Sequence, residues 1–126
     1  MLNKKLLYLL LFLGANQFLE YEIVRYYPNL LNQPRFFSFV PLWVAWLAGL
    51  LVLLVLWAYF YKKKPPTGWW WLLAGFTSNL LTYSLRGSFV DYIPTGISYF
   101  NISDLVILSG IALLSFRSRN LFDDSL

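Results

Sequence analysis

An uncharged stretch of 21 residues, Pro41 to Tyr61, constrains the fold more than any other part of the chain. As an α-helix it would extend about 31 Å at roughly 1.5 Å per residue, enough to cross the hydrocarbon core of a bilayer. The overall composition agrees, because 59% of the residues are hydrophobic and only 13% are charged, whereas soluble domains carry about 25% charged residues. The chain is therefore predicted to be a membrane protein.

Three further apolar stretches predict three more helices. We expect an all-α membrane protein, a single domain covering residues 1–126, with four transmembrane helices at approximately 5–24, 41–61, 69–86 and 102–117. A small extracytoplasmic loop or β element is expected between helices 1 and 2. The first stretch resembles a secretory signal peptide, but Leu13-Gly14-Ala15 lacks the small residue at both cleavage-site positions, so we interpret it as a helix.

The distribution of basic residues predicts the orientation. Seven lie on one side of the predicted helices, namely Lys4, Lys5, Lys62, Lys63, Lys64, Arg117 and Arg119. Three lie on the other side, namely Arg25, Arg35 and Arg86. The positive-inside rule then places both termini in the cytoplasm. Because the basic residues lie at the ends of apolar stretches, the net charge of +4 indicates contact with lipid headgroups and not with nucleic acid.

The chain contains neither cysteine nor histidine. This absence excludes thiol nucleophiles, Ser-His pairs and the commonest zinc sites, so no metal or other cofactor is expected and carboxylates are the obvious acid-base groups. Two of the six acids, Asp123 and Asp124, lie in a polar tail that we predict to be disordered. The others are Glu20, Glu22, Asp91 and Asp104.

Asp91 and Asp104 lie thirteen positions apart, at the outer edges of the third and fourth helices. An acid at the edge of a membrane span is a functional-site hypothesis, because charge in hydrocarbon is unfavourable. Two carboxylates held close together cannot both ionise readily, so such a pair provides one base and one acid and can activate water. Each acid alone also has a simpler explanation. Asp91 could be a solvated loop acid, and Asp104 could belong to a helix cap with Asn101 or Ser103.

Polar residues on the third helix recur at i, i+3, i+4 and i+7, namely Asn79, Thr82, Tyr83 and Arg86. They share one face, which we expect to point into the bundle, although ordinary hydrogen bonding between helices would explain it. Asn16 and Glu20 share a face of the first helix, with a solvated helix end as the alternative. We hypothesise that Glu20 approaches Arg86 across the bundle, while Arg86 could instead pair with Asp91 or reach the headgroups.

Several short blocks resemble the bacterial lipoprotein signal peptidase family, also called signal peptidase II or prolipoprotein signal peptidase. The family's asparagine, glycine and aspartate on helix three and its exit are matched in register by Asn79, Gly87 and Asp91. Its Phe-Asn-x-Ala-Asp block is similar to Phe100-Asn101-Ile102-Ser103-Asp104, and its Asn-x-Gly-x-Ala-Phe-Ser block is similar to residues 32–38. The resemblance extends over most of the chain.

The resemblance implies an aspartyl endopeptidase of the bacterial plasma (inner) membrane that removes signal peptides from prolipoproteins before a diacylglyceryl-modified cysteine. Asp91 and Asp104 would form the catalytic dyad near the extracytoplasmic face. The candidate substrate-binding residues are Asn32, Asn79, Asn101 and Arg86. The expected partners are prolipoproteins and membrane lipids, without nucleic acid, and the protein is expected to be a monomer.

The chain departs from the family pattern on helices one and three. Thr82 and Tyr83 replace an Asp-Arg pair, Asn16 replaces an aspartate, and Glu20 replaces a lysine. These departures motivate a first alternative, a catalytically impaired relative that binds lipidated or membrane partners without cutting them. A second is a small proton- or ion-handling membrane protein, which we expect to show inverted repeats or broken helices that the sequence lacks.

Overall fold

The computed structural model describes residues 4–32, 41–60, 66–96 and 99–123. These residues form four long helices, α1 (Lys4–Tyr26), α2 (Leu42–Phe60), α3 (Thr67–Arg86) and α4 (Ile102–Asp123). The prediction of a mainly helical chain with four helices is confirmed. The prediction of a disordered tail is wrong at Asp123, because α4 continues through this residue.

The structure contains β structure at a place where none was predicted. Two strands, β1 (Ile93–Pro94) and β2 (Tyr99–Phe100), form an antiparallel ribbon between α3 and α4. The described part of the loop after α1 contains a 3-10 helix, Pro28–Asn32, and residues 33–40 of that loop lie outside the described residues. Strands of two residues are too short to produce a recognisable alternation of polar and apolar residues, so the sequence did not reveal the ribbon.

Helix α3 is central, because it packs against each of the other three helices. Hydrogen bonds join Asn16 and Gln17 of α1 to Ser78 and Thr82 of α3 in the same order along both helices, so α1 and α3 are parallel. Helix α4 is antiparallel to α3. Consequently α1 and α3 begin at the end of the bundle where α4 ends, and the opposite end carries the start of α4. We call this opposite end the site end.

Glycines allow the backbones of α3 and α4 to approach closely. A Cβ atom on Gly110 would lie 2.9 Å from the carbonyl oxygen of Gly68. A Cβ atom on Gly75 would lie 2.7 Å from the carbonyl oxygen of Ser103 and 2.5 Å from Cγ1 of Ile107. Small residues commonly produce such close helix pairs in membranes. The start of α4, which carries Asp104, is thereby held firmly against α3.

We expect Gly75→Ala to destabilise the protein by about 1–3 kcal/mol, because the added methyl group would clash with the backbone of α4. A backbone cannot relieve such a clash by changing rotamer, as a side chain can. Thermal unfolding of the purified protein in detergent measures the effect. Gly14→Ala is the matched control, since a Cβ atom there meets nothing within 4 Å, and it should be neutral or slightly stabilising in a helix. Equal melting temperatures for the two variants would contradict the close α3–α4 contact.

Much of the protein surface is apolar. Large apolar side chains such as Leu47, Leu51 and Trp57 point outward along α2, and Gly49 of this helix meets Leu80 of α3. Among the described residues, α1 is the helix that is long and apolar enough to cross a membrane, and Trp46–Tyr59 forms a shorter apolar helix. An apolar surface of this extent indicates contact with a membrane or with other proteins.

Candidate active site

The exit from α3 determines where Asp91 lies. Gly87 ends the helix in the left-handed conformation, with φ of 67°, and its N–H donates to the carbonyl oxygen of Tyr83. Glycine adopts this conformation without steric penalty, so it is the usual residue at such a helix end. Beyond the turn, Phe89 stacks on Tyr83 with ring centroids 4.9 Å apart, and Val90 is fully buried. These contacts fix the backbone immediately before Asp91.

Asp104 is positioned by the first turn of α4. The Asp104 N–H donates to Oδ1 of Asn101 at 2.9 Å, and the Asn101 N–H donates to Oδ2 of Asp104 at 3.1 Å. This reciprocal arrangement is a capping box, which satisfies two N–H groups that lack partners within the helix. Asn101 is therefore the capping residue, and Ser103 is not.

Two amide side chains connect the two acids. Because Oδ1 of Asn101 accepts a backbone N–H, its Nδ2 must face the other partners, and the orientation of the amide follows from the hydrogen bonds. This Nδ2 donates to Oδ1 of Asp91 at 3.0 Å and to Oδ1 of Asn79 at 3.1 Å. In turn, Nδ2 of Asn79 donates to Oδ1 of Asp104 at 2.9 Å. We call Asn79, Asp91, Asn101 and Asp104 the carboxyl cluster.

The carboxyl cluster combines a buried support with partly exposed acids. Asn101 is almost completely buried, whereas Asp91 and Asp104 remain partly accessible at the site end. The two acids therefore lie at the surface of the bundle, while Asn101 supports them from inside it. Among the described residues, no group of three or more acids, cysteines or histidines could hold a metal ion.

Four of the six predicted site residues meet in this cluster. The fifth, Asn32, is the last residue of the 3-10 helix, and its side chain lies outside the described part of the structure. The sixth, Arg86, hydrogen bonds to Gln17 on α1, which is not a member of the cluster. The catalytic and substrate-binding roles of all six stay predictions.

A second polar group lies beside the carboxyl cluster, between α1 and α3. Nδ2 of Asn16 lies 3.0 Å from Oε1 of Glu20, 2.8 Å from Oγ of Ser78 and 3.2 Å from Oγ of Ser103. All four side chains are buried. Ser78 and Ser103 immediately precede Asn79 and Asp104 in the sequence, so this group holds α1 against the two helices that carry the site.

The hypothesis that Glu20 approaches Arg86 is confirmed. Nη1 of Arg86 lies 3.9 Å from Oε2 of Glu20, and the two side chains are 15% and 0% exposed. Gln17 bridges them, because its Oε1 accepts from Arg86 at 2.8 Å and its Nε2 donates to Oγ1 of Thr82 at 2.8 Å. The Thr82 hydroxyl then donates to Glu20. The alternative that Asn16 and Glu20 lie at a solvated helix end is therefore wrong, because both side chains are buried. We call Asn16, Gln17, Glu20, Ser78, Thr82, Arg86 and Ser103 the α1 network.

Sequence reasoning did not identify Gln17, Ser78 and Ser103 as members of this network. A signal existed for Ser78, which precedes Thr82 by four residues and so lies on the same helix face.

Sequence reasoning also missed Tyr92. Burial raises the pKa of its phenol, a polar interaction with the backbone of Ile102 lowers this pKa in part, and the charges of Glu20, Asp104 and Asp91 raise it further. The phenol therefore stays neutral beside the carboxyl cluster.

The geometry defines a helical protein with two carboxyl groups bridged by amides at one end of the bundle. The family model described as Signal peptidase (SPase) II matches residues 12–119, which include the whole carboxyl cluster. The chain belongs to this family of membrane-associated peptidases, and the resemblance found in the sequence is confirmed. Membership supports a role as a lipoprotein signal peptidase. No curated protein and no solved structure matches the chain.

Proposed function

We propose that the protein is an aspartyl endopeptidase that removes the signal peptide from prolipoproteins immediately before a diacylglyceryl-modified cysteine. The observation that carries the proposal is the carboxyl cluster. Asp91 and Asp104 come from different elements, yet one residue, Asn101, donates to both carboxyl groups, from its Nδ2 to Asp91 and from its backbone N–H to Asp104. Such a shared support is expected where two acids must act on the same bond.

The proposed chemistry requires one proton on the pair. One carboxylate removes a proton from water as the water oxygen attacks the scissile carbonyl carbon, and the other carboxyl group donates its proton to the carbonyl oxygen. When the tetrahedral intermediate collapses, the C–N bond breaks, the leaving amine takes up the proton from the pair, and the other carboxylate accepts a proton from a hydroxyl group of the intermediate, so the pair again holds one proton. Asn79 and Asn101 hold the two carboxyl groups in place throughout these steps.

We place the protein in the bacterial plasma membrane with four spans, both termini in the cytoplasm and the carboxyl cluster near the extracytoplasmic face. Parallel packing of α1 and α3 and antiparallel packing of α4 support this placement, because they bring four of the seven basic residues of the predicted inner side, Lys4, Lys5, Arg117 and Arg119, to one end. Since every residue of the cluster comes from one chain, we propose that a monomer is sufficient for activity.

We favour cleavage over the binding of lipidated partners without cutting. Three positions that depart from the family pattern, Asn16, Glu20 and Thr82, hydrogen bond to one another within the α1 network. The fourth, Tyr83, stacks on Phe89. The departures therefore form their own set of contacts and leave the hydrogen bonds of the carboxyl cluster intact. We also disfavour proton transport, because both acids lie at the site end and not at mid-membrane.

The purified protein should cleave a precursor that carries diacylglyceryl cysteine and leave the unmodified precursor intact. We expect the rate to be unchanged by a metal chelator and by serine or thiol reagents, because the sequence contains no cysteine or histidine and the proposed chemistry uses carboxyl groups alone. Gel-shift analysis of the two precursors measures both properties. Equal cleavage of both precursors would contradict the substrate assignment, and activity lost with the chelator and restored by zinc or manganese would contradict the metal-free mechanism.

A further inference from the structure

An apolar groove runs along α1 and α3 from Lys5 and Thr67, at the opposite end of the bundle from the carboxyl cluster, to Ala74 and to Val106 of α4. Its volume is about 470 Å³, which is in the range of roughly 300–1,000 Å³ typical of small-molecule sites. Tyr8, Leu9 and Phe12 line the groove from α1, and Trp70 and Trp71 line it from α3. The groove therefore suits an elongated apolar group.

The groove results from how α1 is attached to the bundle. The buried residues of α1 are Asn16 and Glu20, in its second half, where the α1 network joins it to α3. No residue in the first half of α1 is buried, and the groove lies there between the two helices. From Trp71 to Arg86 at the end of α3 is about 22 Å along the helix axis. The basic end of the groove, at Lys5, is thus far from the end of α3, whereas its other end approaches the proposed cleavage site, because Val106 follows Asp104 by two residues.

The charge at the groove selects the kind of ligand. Lys5 lines the groove and Lys4 precedes it, and the first turns of α1 and α3 contain no acidic residue. Basic pockets between helices at the inner face of a membrane commonly bind anionic lipid headgroups, and tryptophans are enriched at that depth. A signal peptide fits less well, because its basic amino-terminal region would lie near Lys4 and Lys5.

We propose that this groove binds an anionic phospholipid, with an acyl chain between α1 and α3 and the phosphate against Lys4 and Lys5. The proposal rests on the membrane placement given above and not on the peptidase chemistry. A bound acyl chain fills the gap under the first half of α1 and braces this helix against α3. The lipid therefore stabilises the helix that carries Asn16, Gln17 and Glu20.

The test uses the full-length protein, purified in detergent and freed of lipid. Phosphatidylglycerol should raise its melting temperature by about 4 °C more than phosphatidylcholine with the same acyl chains, and native mass spectrometry should show one retained phosphatidylglycerol. Lys4→Ala/Lys5→Ala should remove the difference between the two lipids. Ala74→Trp, which fills the groove from α3, should remove both responses. Leu54→Trp, on the exposed face of α2, is the control and should retain them.

Equal responses of the wild-type protein to the two lipids would overturn the proposal, as would a phosphatidylglycerol response that survives Ala74→Trp. The Lys4→Ala/Lys5→Ala variant keeps the test decisive if Ala74→Trp does not fold. Displacement of phosphatidylglycerol by a signal-peptide segment, together with a raised KM for the precursor in Ala74→Trp, would assign the groove to substrate instead. Asp91→Asn should retain the lipid response, so failure of the peptidase proposal is distinguishable from failure of this one.

Discussion

Asp91→Asn and Asp104→Asn should each lower the rate of precursor cleavage by about 10³-fold or more, because neither acid-base role can pass to an amide. Both variants should remain folded. An asparagine oxygen at position 104 can still accept the N–H of Asn101, and one at position 91 can still accept from the Asn101 side chain. Cleavage rates measured together with melting temperatures therefore separate loss of chemistry from loss of structure.

Glu22→Gln is the control for these variants. Glu22 is a partly exposed acid of α1 whose described ion pair is with Arg25, on the same helix. The substitution removes one negative charge from the protein without contacting the carboxyl cluster, so the cleavage rate should stay close to that of the wild type. If folded Asp91→Asn or Asp104→Asn retains a substantial fraction of this rate, the aspartyl mechanism is contradicted.

Glu20→Gln and Arg86→Gln should each destabilise the protein by about 3 kcal/mol, because either change leaves the opposite charge buried without its partner. The double variant Glu20→Gln/Arg86→Gln should lose less stability than the sum of the two single changes, since the members of a contacting pair are not independent. Thermal or denaturant unfolding of the four proteins in the same detergent gives this coupling energy directly.

The pair formed by Glu22 and Arg25 provides a matched comparison. Its N···O separation is 3.9 Å, the same as that between Arg86 and Glu20, but its side chains are 63% exposed for Arg25 and 31% exposed for Glu22. Exposed ion pairs contribute about 0–1 kcal/mol to stability. Glu22→Gln and Arg25→Gln should therefore each change the free energy of unfolding by less than about 1 kcal/mol. Equal effects on the two pairs would contradict a special role for the buried one.

The sequence predicted the helices well because their apolar stretches are long. The resemblance to the signal peptidase II family placed Asn79, Asp91, Asn101 and Asp104 in one site, whereas the residues alone left each acid with a simpler explanation. Their roles are untested, but their association depends mainly on local geometry. Asp104 belongs both to the helix cap and to the carboxyl cluster. Its Oδ2 accepts from the Asn101 N–H in the cap, and its Oδ1 accepts from Asn79 in the cluster.

The partners of α1 were harder to predict. The i, i+4 spacing places Asn16 and Glu20 on one face, but the sequence does not fix how far α1 slides along α3. A different offset would have brought Gln17 opposite other residues than Thr82 and Arg86. The confirmed approach of Glu20 and Arg86 rested on their similar depth, whereas the contribution of Ser103 required the position of α4 as well.

The fate of one diacylglyceryl-modified precursor tests the proposed function most directly. The precursor is incubated with the purified wild-type protein or with Asp91→Asn/Asp104→Asn, and the fragments are identified by mass spectrometry. We predict that the wild-type protein releases a fragment beginning at the modified cysteine and that the double variant leaves the precursor intact. A fragment that begins elsewhere, or the same fragment from the double variant, would contradict cleavage by Asp91 and Asp104.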